Sequence, residues 1–298
     1  MHDLGAPGRQ DRLHRPDELD ELDELDELDG FENGLIERFE EHPVLANITR
    51  LPDEDFTALL LQRRFVSLAF TPSYDLAIDL LRDEEGLRIA RFILREEYPG
   101  ATGHAPSHRE DMTEDLRRLG VSREALVASR PTAATQRAIT DTLELIAEAG
   151  GHADADLRLL TFLRFWGEVL VSVEYGRLWE RMGPLFTSEG GGLNRSRFYH
   201  PHLVHDAKTH SLATVSMLSD THSDRLAARV TELLGRADGT DTADRADTAD
   251  RADTADRADR ADRADRADGF RETEERALRL KSGFYDQFLP ALDPSPTA

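Results

Sequence analysis

The chain has 298 residues, a formal charge of −22 and no cysteine. The missing cysteine excludes disulfides, zinc fingers, iron–sulfur clusters and cysteine nucleophiles. The acidic balance lacks the basic patch of a nucleic-acid-binding protein, and no apolar run approaches the ~20 residues that span a bilayer. Residues 1–16 contain no apolar segment of the signal-peptide kind. We therefore expect a soluble cytoplasmic protein without nucleic-acid or membrane partners.

Two low-complexity tracts divide the sequence. Residues 17–29 repeat Asp-Glu-Leu with nine acids and no base, and residues 236–268 repeat Arg-Ala-Asp and Thr-Ala-Asp with seven Arg and eleven Asp. Like charges and the lack of an apolar face favour disorder, although the first tract could also be a partner-binding arm. We predict a disordered acidic tail at 1–30, a helical metal-binding domain at 31–235, a low-complexity insertion at 236–269, the final helix of the same domain at 270–290 and a disordered tail at 291–298.

Outside the tracts, apolar residues recur at helical spacing and no segment alternates like a strand. The longer predicted helices cover residues 52–68, 84–98, 108–119, 135–149, 156–182, 198–218, 224–234 and 270–289. This pattern predicts an all-α bundle of seven to eight helices.

Glu97 lies on an apolar helix stripe, three residues after Leu94 and ten after Leu87. A carboxylate on a core-facing stripe needs a partner, because burying a lone charge is expensive. The Gly/Pro-rich segment that follows contains His104 and His108, and either histidine could meet Glu97.

Glu174 falls on the core face of the longest apolar helix, four residues after Leu170 and eleven after Leu163. Glu168, on the same helix, is a weaker candidate for a core-facing carboxylate.

Four of the 11 histidines lie between Phe198 and His210. If this stretch is one helix, His202, Asp206 and His210 share a face at i, i+4 and i+8. Imidazole and carboxylate are the ligands of non-haem iron, manganese and zinc.

Carboxylates and imidazoles that project inward from facing helices are typical of di-iron bundles. Any one of these side chains alone is more often structural, paired with an arginine or with the backbone. The set as a whole favours metal binding.

The order of these residues resembles that of the haem-oxygenase-like di-iron oxidases and oxygenases, which are relatives of the thiaminase-II-like proteins. The resemblance covers residues 50–289 and includes the run Phe-Tyr-x-x-His-x-x-x-Asp at 198–206. Residues 108–120 resemble the family's histidine helix, which favours His108 over His104. Thr209 stands where the family has its last histidine, and His210 follows one residue later, so that one or two metals remain alternatives.

The resemblance implies a haem-oxygenase-like bundle with two Fe(II) ions per chain, manganese being the alternative, and with dioxygen as co-substrate. It implies oxidation of a small organic substrate (an amino acid, amine or fatty acid), in specialised metabolism. The implied metal ligands are Glu97, His108, Glu174, His202, Asp206 and His210, with His104, Glu168 and His205 as weaker candidates.

Two other functions compete with this interpretation. One is a metal-free enzyme or small-molecule-binding protein on the same fold, and the other is a non-enzymatic helical interaction protein that works through its repeats. Such bundles commonly form homodimers.

Overall fold

The computed structural model describes residues 16–99, 106–187, 194–236 and 249–292. Its helices are α1 (Pro16–Glu40), α2 (Pro43–Ala46), α3 (Asp53–Leu68), α4 (Phe70–Leu80), α5 (Glu84–Glu96), α6 (His108–Arg118), α7 (Arg123–Ala128), α8 (Ala133–Ala149), α9 (Ala155–Arg164), α10 (Leu170–Phe186), α11 (Tyr199–His205), α12 (His222–Leu234) and α13 (Ala249–Tyr285). The described residues form no strand, so the all-α prediction is confirmed. They form more helices than the seven or eight predicted, partly because short helices such as α2 and α7 were not anticipated.

One long helix forms the centre of the molecule. A π-helical segment, Phe165–Val169, joins α9 to α10 without a break, and side chains are buried on every side of its middle part. A helix that is apolar all round belongs in the interior. The helices α8, α12 and α13 pack around α9, while α1 and α11 pack on α10.

The acidic tract is the first half of a helix, which corrects the predicted disorder of 1–30 for the residues that are described. Helix α1 continues from Pro16 to Glu40, and Leu28, Leu35 and Phe39 are buried along one stripe. Once this stripe is docked, each further turn adds hydrogen bonds without a new nucleation cost. The predicted boundary at residue 30 therefore lies inside a helix, and residues 1–15 lie outside the described part.

The Arg-Ala-Asp tract is also helical where it is described, which corrects the predicted insertion at 236–269. Helix α13 runs continuously from Ala249 to Tyr285, and residues 237–248 lie outside the described part. No glycine or proline interrupts residues 249–268, and each Asp-to-Arg spacing of four residues supports a helix. Ala267 and Phe270 are buried and anchor this helix.

The two tracts lie side by side in parallel helices. Glu24 Oε2 is 3.9 Å from Arg263 Nη1, and further along the same pair of helices the rings of Phe39 and Tyr285 lie 6.0 Å apart. Thus the acidic tract of α1 accompanies the arginine-containing tract of α13, and opposite charges face each other.

Replacing Leu28 with alanine tests whether the acidic tract is part of the folded domain. Removing a fully buried leucine side chain costs about 2–5 kcal/mol of unfolding free energy, while a disordered tail predicts no change. Urea unfolding followed by circular dichroism measures the difference. Leu22→Ala, at a half-buried position of the same repeat, is the matched control and should cost less.

A charged cluster is buried between α1, α9 and α13. The Arg164 guanidinium donates to both carboxylate oxygens of Glu32 at 2.8 Å, and its Nη1 lies 3.5 Å from Glu274 Oε1. All three side chains are fully buried, and neither oxygen of Glu274 has a hydrogen-bond donor among the described residues. One guanidinium thus stands between two carboxyl groups that water cannot reach.

The histidine-rich helix is shorter than predicted. Helix α11 ends at His205 instead of Leu218, and residues 206–221 form an irregular segment before α12. At the other end of the chain, α13 ends at Tyr285 and a 3₁₀ segment, Asp286–Leu292, completes the predicted final helix; residues 293–298 lie outside the described part. Among the described residues, no helix is long and apolar enough to cross a membrane.

Candidate metal centre

Glu97, His108 and His202 come together from three helix segments. Glu97 caps the C-terminal end of α5, His108 opens α6 behind a Ser107–Glu110 capping box, and His202 lies within α11. Glu97 Oε1 is 2.8 Å from His108 Nδ1, and one donor atom from each of the three side chains lies within 4.8 Å of the others. We call this group the first triad.

The backbone fixes which nitrogen of His202 faces the triad. Its Nδ1 donates to the carbonyl oxygen of Phe198 at 2.7 Å, because a carbonyl can only accept. Burial and the neighbouring His108 lower the pKa of His202 to about 3. The imidazole is therefore neutral and presents a free Nε2 lone pair, which is the form that binds a metal.

Glu168, Asp206 and His222 form a second triad. Glu168 lies on the π-helical segment, Asp206 caps the end of α11, and His222 is the first residue of α12. His222 Nδ1 is 3.5 Å from Glu168 Oε2 and 3.7 Å from Asp206 Oδ1. The Tyr74 hydroxyl donates to the other oxygen of Glu168. Widened π turns are frequent at functional sites, and this one places Glu168 between α4 and α12.

The second triad holds more negative charge than its own groups can neutralise. Burial, together with the charge of Glu168, raises the pKa of Asp206 well above its usual range. Burial alone would lower the pKa of His222, but its bonds to Glu168 and to Glu96 and the charge of Asp206 raise it to about 10. A divalent cation that binds His222 would therefore have to displace a proton from its ring.

Both triads face one small cavity of about 50 Å³. The cavity is lined by Phe70, Ile93, Glu96, Glu97, His108, Glu168, Pro201, His202, His205, Asp206 and His222. Three carboxylates and three imidazoles from the triads therefore surround one space.

A larger cavity of about 440 Å³ adjoins the first triad. Glu97, His108, His202 and Phe70 line both spaces, so the two cavities meet at the first triad. The walls of the larger cavity are mostly apolar and aromatic, and this volume is that of a small-molecule site. Its apolar and aromatic side chains include Val66, Phe70, Met112, Trp166, Val171, Tyr175 and Phe198.

Four of the six residues predicted as ligands are brought together: Glu97, His108, His202 and Asp206. Glu168, which the sequence indicated less strongly than Glu174 as a core-facing carboxylate, belongs to the second triad. His205 is exposed, and its ring lies 6.5 Å from that of His222. His104 lies outside the described residues.

Glu174 is buried, as predicted, but it lies away from both triads. It pairs with Arg63, accepts from Lys281 at 3.1 Å and accepts from the Tyr285 hydroxyl. The prediction counted residues at 100° each, and the π-helical segment changes the phase of every later residue. Glu174 therefore has the ordinary structural partners of a core carboxylate.

His210 does not share a helix face with His202, which corrects the i, i+4, i+8 interpretation. Helix α11 ends five residues before His210, and His210 Nδ1 lies 2.6 Å from Asp224 Oδ2 at a half-exposed position. The Thr209 hydroxyl also donates to Asp224. These polar contacts to α12 hold the chain in an irregular conformation.

His222 is a functional candidate that was absent from the predicted ligands, because the residues before it, Ser219-Asp220-Thr221, are typical of a surface turn. A signal was present: Leu226 and Val230 follow at i+4 and i+8, and both are fully buried. Thr221 caps the helix by accepting from the Asp224 amide, which fixes His222 at its first turn. Nothing in the sequence indicated Tyr74 as a partner of Glu168.

Comparisons with solved structures find a structural likeness. No family model and no curated protein matches the chain. A solved structure described as a TenA family transcription regulator from a Silicibacter species superposes with a TM-score of 0.48 and 16% identity, over 91% of this chain and 97% of that one. This similarity is too low to carry an argument about family or activity.

Proposed function

We propose that this protein is a non-haem di-iron oxidase or oxygenase that uses dioxygen to oxidise a small organic substrate. The observation that carries the proposal is the meeting of two carboxylate–imidazole triads at one cavity of about 50 Å³, next to a cavity large enough for a substrate.

The donor set fits the proposed metal. The first triad supplies two imidazoles and one carboxylate, the ligand combination of non-haem Fe(II) sites with open positions. The second triad supplies two carboxylates and one imidazole, and its buried Asp206 lacks a full counter-charge. Three carboxylates would offset most of the charge of two divalent ions. Manganese accepts the same donors and is the alternative metal.

Iron(II) held by these residues would supply electrons for the reduction of dioxygen. The chain's own contribution is orientation and exclusion of water. The Phe198 carbonyl holds the His202 ring, and the Tyr74 hydroxyl holds Glu168. Aromatic walls formed by Phe70 and Trp166 line the adjoining cavity, so that a substrate bound there would lie against the first triad and displace water from it.

An anaerobic titration of metal-free protein with ferrous iron tests the proposal. We expect two ions per chain, followed by a transient visible absorption band when oxygen is admitted. Binding of a single ion would restrict the site to one triad. A protein that binds no ferrous or manganous ion would contradict the proposal and favour a metal-free binding protein.

Tyr74→Phe removes one hydroxyl beside Glu168 and leaves the ring stacked on Phe70, at 4.3 Å between centroids. Loss of a hydrogen bond that orients a ligand typically lowers metal affinity about 10–100-fold. We expect the weaker of two ferrous binding steps to shift by this amount while the melting curve of the metal-free protein stays close to that of the parent. Tyr98→Phe, at an exposed tyrosine, is the control and should shift neither step.

A further inference from the structure

A group of buried charges forms one wall of the larger cavity. Arg63 and Lys281 both line it, and both are 3% exposed. Each donates to the same carboxylate, that of Glu174, which is fully buried and also accepts from Tyr285. The group is separate from the two triads.

The charges of this group do not balance. Arg63 and Lys281 are two cations, and Glu174 is one anion. Burial raises the pKa of the Tyr175 and Tyr285 hydroxyls, which therefore stay neutral. One positive charge remains at the wall of an apolar cavity. An uncompensated buried charge is costly, so a site built this way is completed by an anion.

Hydrogen-bond donors are left over on the same two side chains. Arg63 uses Nε for Glu174 and Nη1 for Ser67 Oγ at 2.7 Å, while its Nη2 has no acceptor among the described residues. The Lys281 ammonium group has three hydrogens and one acceptor, Glu174. A carboxylate could accept hydrogen bonds from these remaining donors, as carboxylates commonly do from arginine and lysine.

We propose that the larger cavity binds an organic monocarboxylate with an apolar body, whose carboxylate is held by Arg63 and Lys281. A single excess charge matches a monoanion, whereas a phosphate dianion would leave a buried negative charge. Phe70, Trp166 and Phe198 line the cavity and suit an aromatic body. The inference rests on the proposed function in one respect: the bound carboxylate is taken to be the substrate of the adjoining metal centre.

The pKa of Lys281 would respond to an anion bound beside it. Burial lowers its pKa to about 8, with the charge of Arg63 acting in the same direction and that of Glu174 opposing it. Lys281 Nζ also lies 5.1 Å from the centre of the Trp166 ring. A bound carboxylate would add a second negative partner and raise this pKa.

The test is calorimetry on the chelator-treated, metal-free full-length protein, so that no probe can coordinate a metal. The probes are 3-phenylpropanoate, 3-phenylpropan-1-ol and 3-phenylpropylamine, which share one body and differ in the end group. We expect saturable binding of the carboxylate, weaker binding of the alcohol and none of the amine. Lys281→Met should weaken carboxylate binding about 10- to 100-fold, the usual effect of losing a charge-assisted hydrogen bond.

Lys208→Met is the matched control, since Lys208 and Lys281 are the two lysines of the chain. Lys208 bonds to Asn33 and Asp29, away from the cavity, and its replacement should leave carboxylate affinity unchanged. With only two lysines, NMR of ¹³C-labelled lysine resolves Lys281, and its titration near pH 8 should move upward when 3-phenylpropanoate is added.

Three outcomes would overturn the inference: no saturable carboxylate binding at millimolar concentration, equal affinity for carboxylate and alcohol, or unchanged affinity in Lys281→Met. Ferrous titration of Lys281→Met tests iron binding, and with it the proposed function, separately from carboxylate binding. We expect that variant to bind iron like the parent, because Lys281 is not a ligand. Loss of carboxylate binding with full iron binding supports the inference, whereas carboxylate binding in a protein that takes up no iron overturns only the proposed function.

Discussion

His222→Ala is expected to lower ferrous binding from two ions per chain to one and to abolish oxygen-dependent activity, whereas His210→Ala leaves both unchanged. His222 contributes the only imidazole of the second triad, at 3.5 Å and 3.7 Å from the two carboxylates. His210 is bound to Asp224 at a half-exposed position. Loss of one metal from a two-metal site removes the electrons that it would supply, so the loss of activity should exceed about a hundredfold.

The comparison of the two histidine variants discriminates between the ligands implied by the resemblance and those that we propose from the structure. Elemental analysis, together with ferrous titration, measures the number of iron ions that each variant binds per chain. A result in which His210→Ala loses an ion and His222→Ala keeps both would show that the chain from 206 to 222 takes a different path in the metal-bound protein. Circular dichroism of both variants establishes that the bundle is intact.

Arg164→Met is expected to destabilise the domain severely, by about 3–5 kcal/mol of unfolding free energy. The substitution keeps an apolar stem but leaves Glu32 and Glu274 buried without their guanidinium. Typical domains have about 5–15 kcal/mol in total, so the variant should be partly unfolded at ambient temperature. Urea unfolding measures the change, and Arg88→Met, at a 73% exposed arginine paired with Glu85, is the control that should change little.

Glu274→Gln in the same cluster should have the opposite effect. Burial and the charge of Glu32 raise the pKa of Glu274 well above its usual 4.5, so the folded protein holds a proton that the unfolded chain releases. That stabilisation is complete below about pH 4.5 and is lost as the pH rises towards and through the folded pKa. The glutamine variant should therefore be more stable than the parent at neutral pH, and the difference should shrink in acid. Equal stability at every pH would show that Glu274 is not protonated in the fold.

The sequence predicted the helical class and named all three residues of the first triad, of which Glu97 and His108 depend on local patterns. Helical periodicity located α5, and Glu97 at its end; the resemblance of residues 108–120 to a histidine helix favoured His108 over His104. Glu97 and His108 lie close to each other in the chain, so that their proximity depends little on how distant helices pack.

Such patterns predicted the second triad only in part. Glu168 depends on a π-helical segment inside a helix that is buried on every side, where periodicity does not distinguish one face from another. His222 meets Asp206 only because an irregular segment folds back and brings α12 to the end of α11. The charged tracts were misjudged for a related reason: composition predicted disorder, while the stripe from Leu28 to Phe39 and the neighbouring α13 anchor them.

The irregular segment between α11 and α12 has one residue of the second triad at each end, Asp206 and His222, with Glu168 opposite on the central helix. A cation shared by these three side chains would cross-link the chain across a closed loop, in a protein that has no cysteine for a disulfide. Such a link stabilises the fold chiefly by restricting the unfolded chain, and it adds the mass-action contribution of a ligand that binds only the native state. Metal binding would then stabilise this protein as disulfide formation stabilises a secreted protein. It would slow hydrogen exchange in residues 206–222 and raise the melting temperature, independently of any reaction with oxygen.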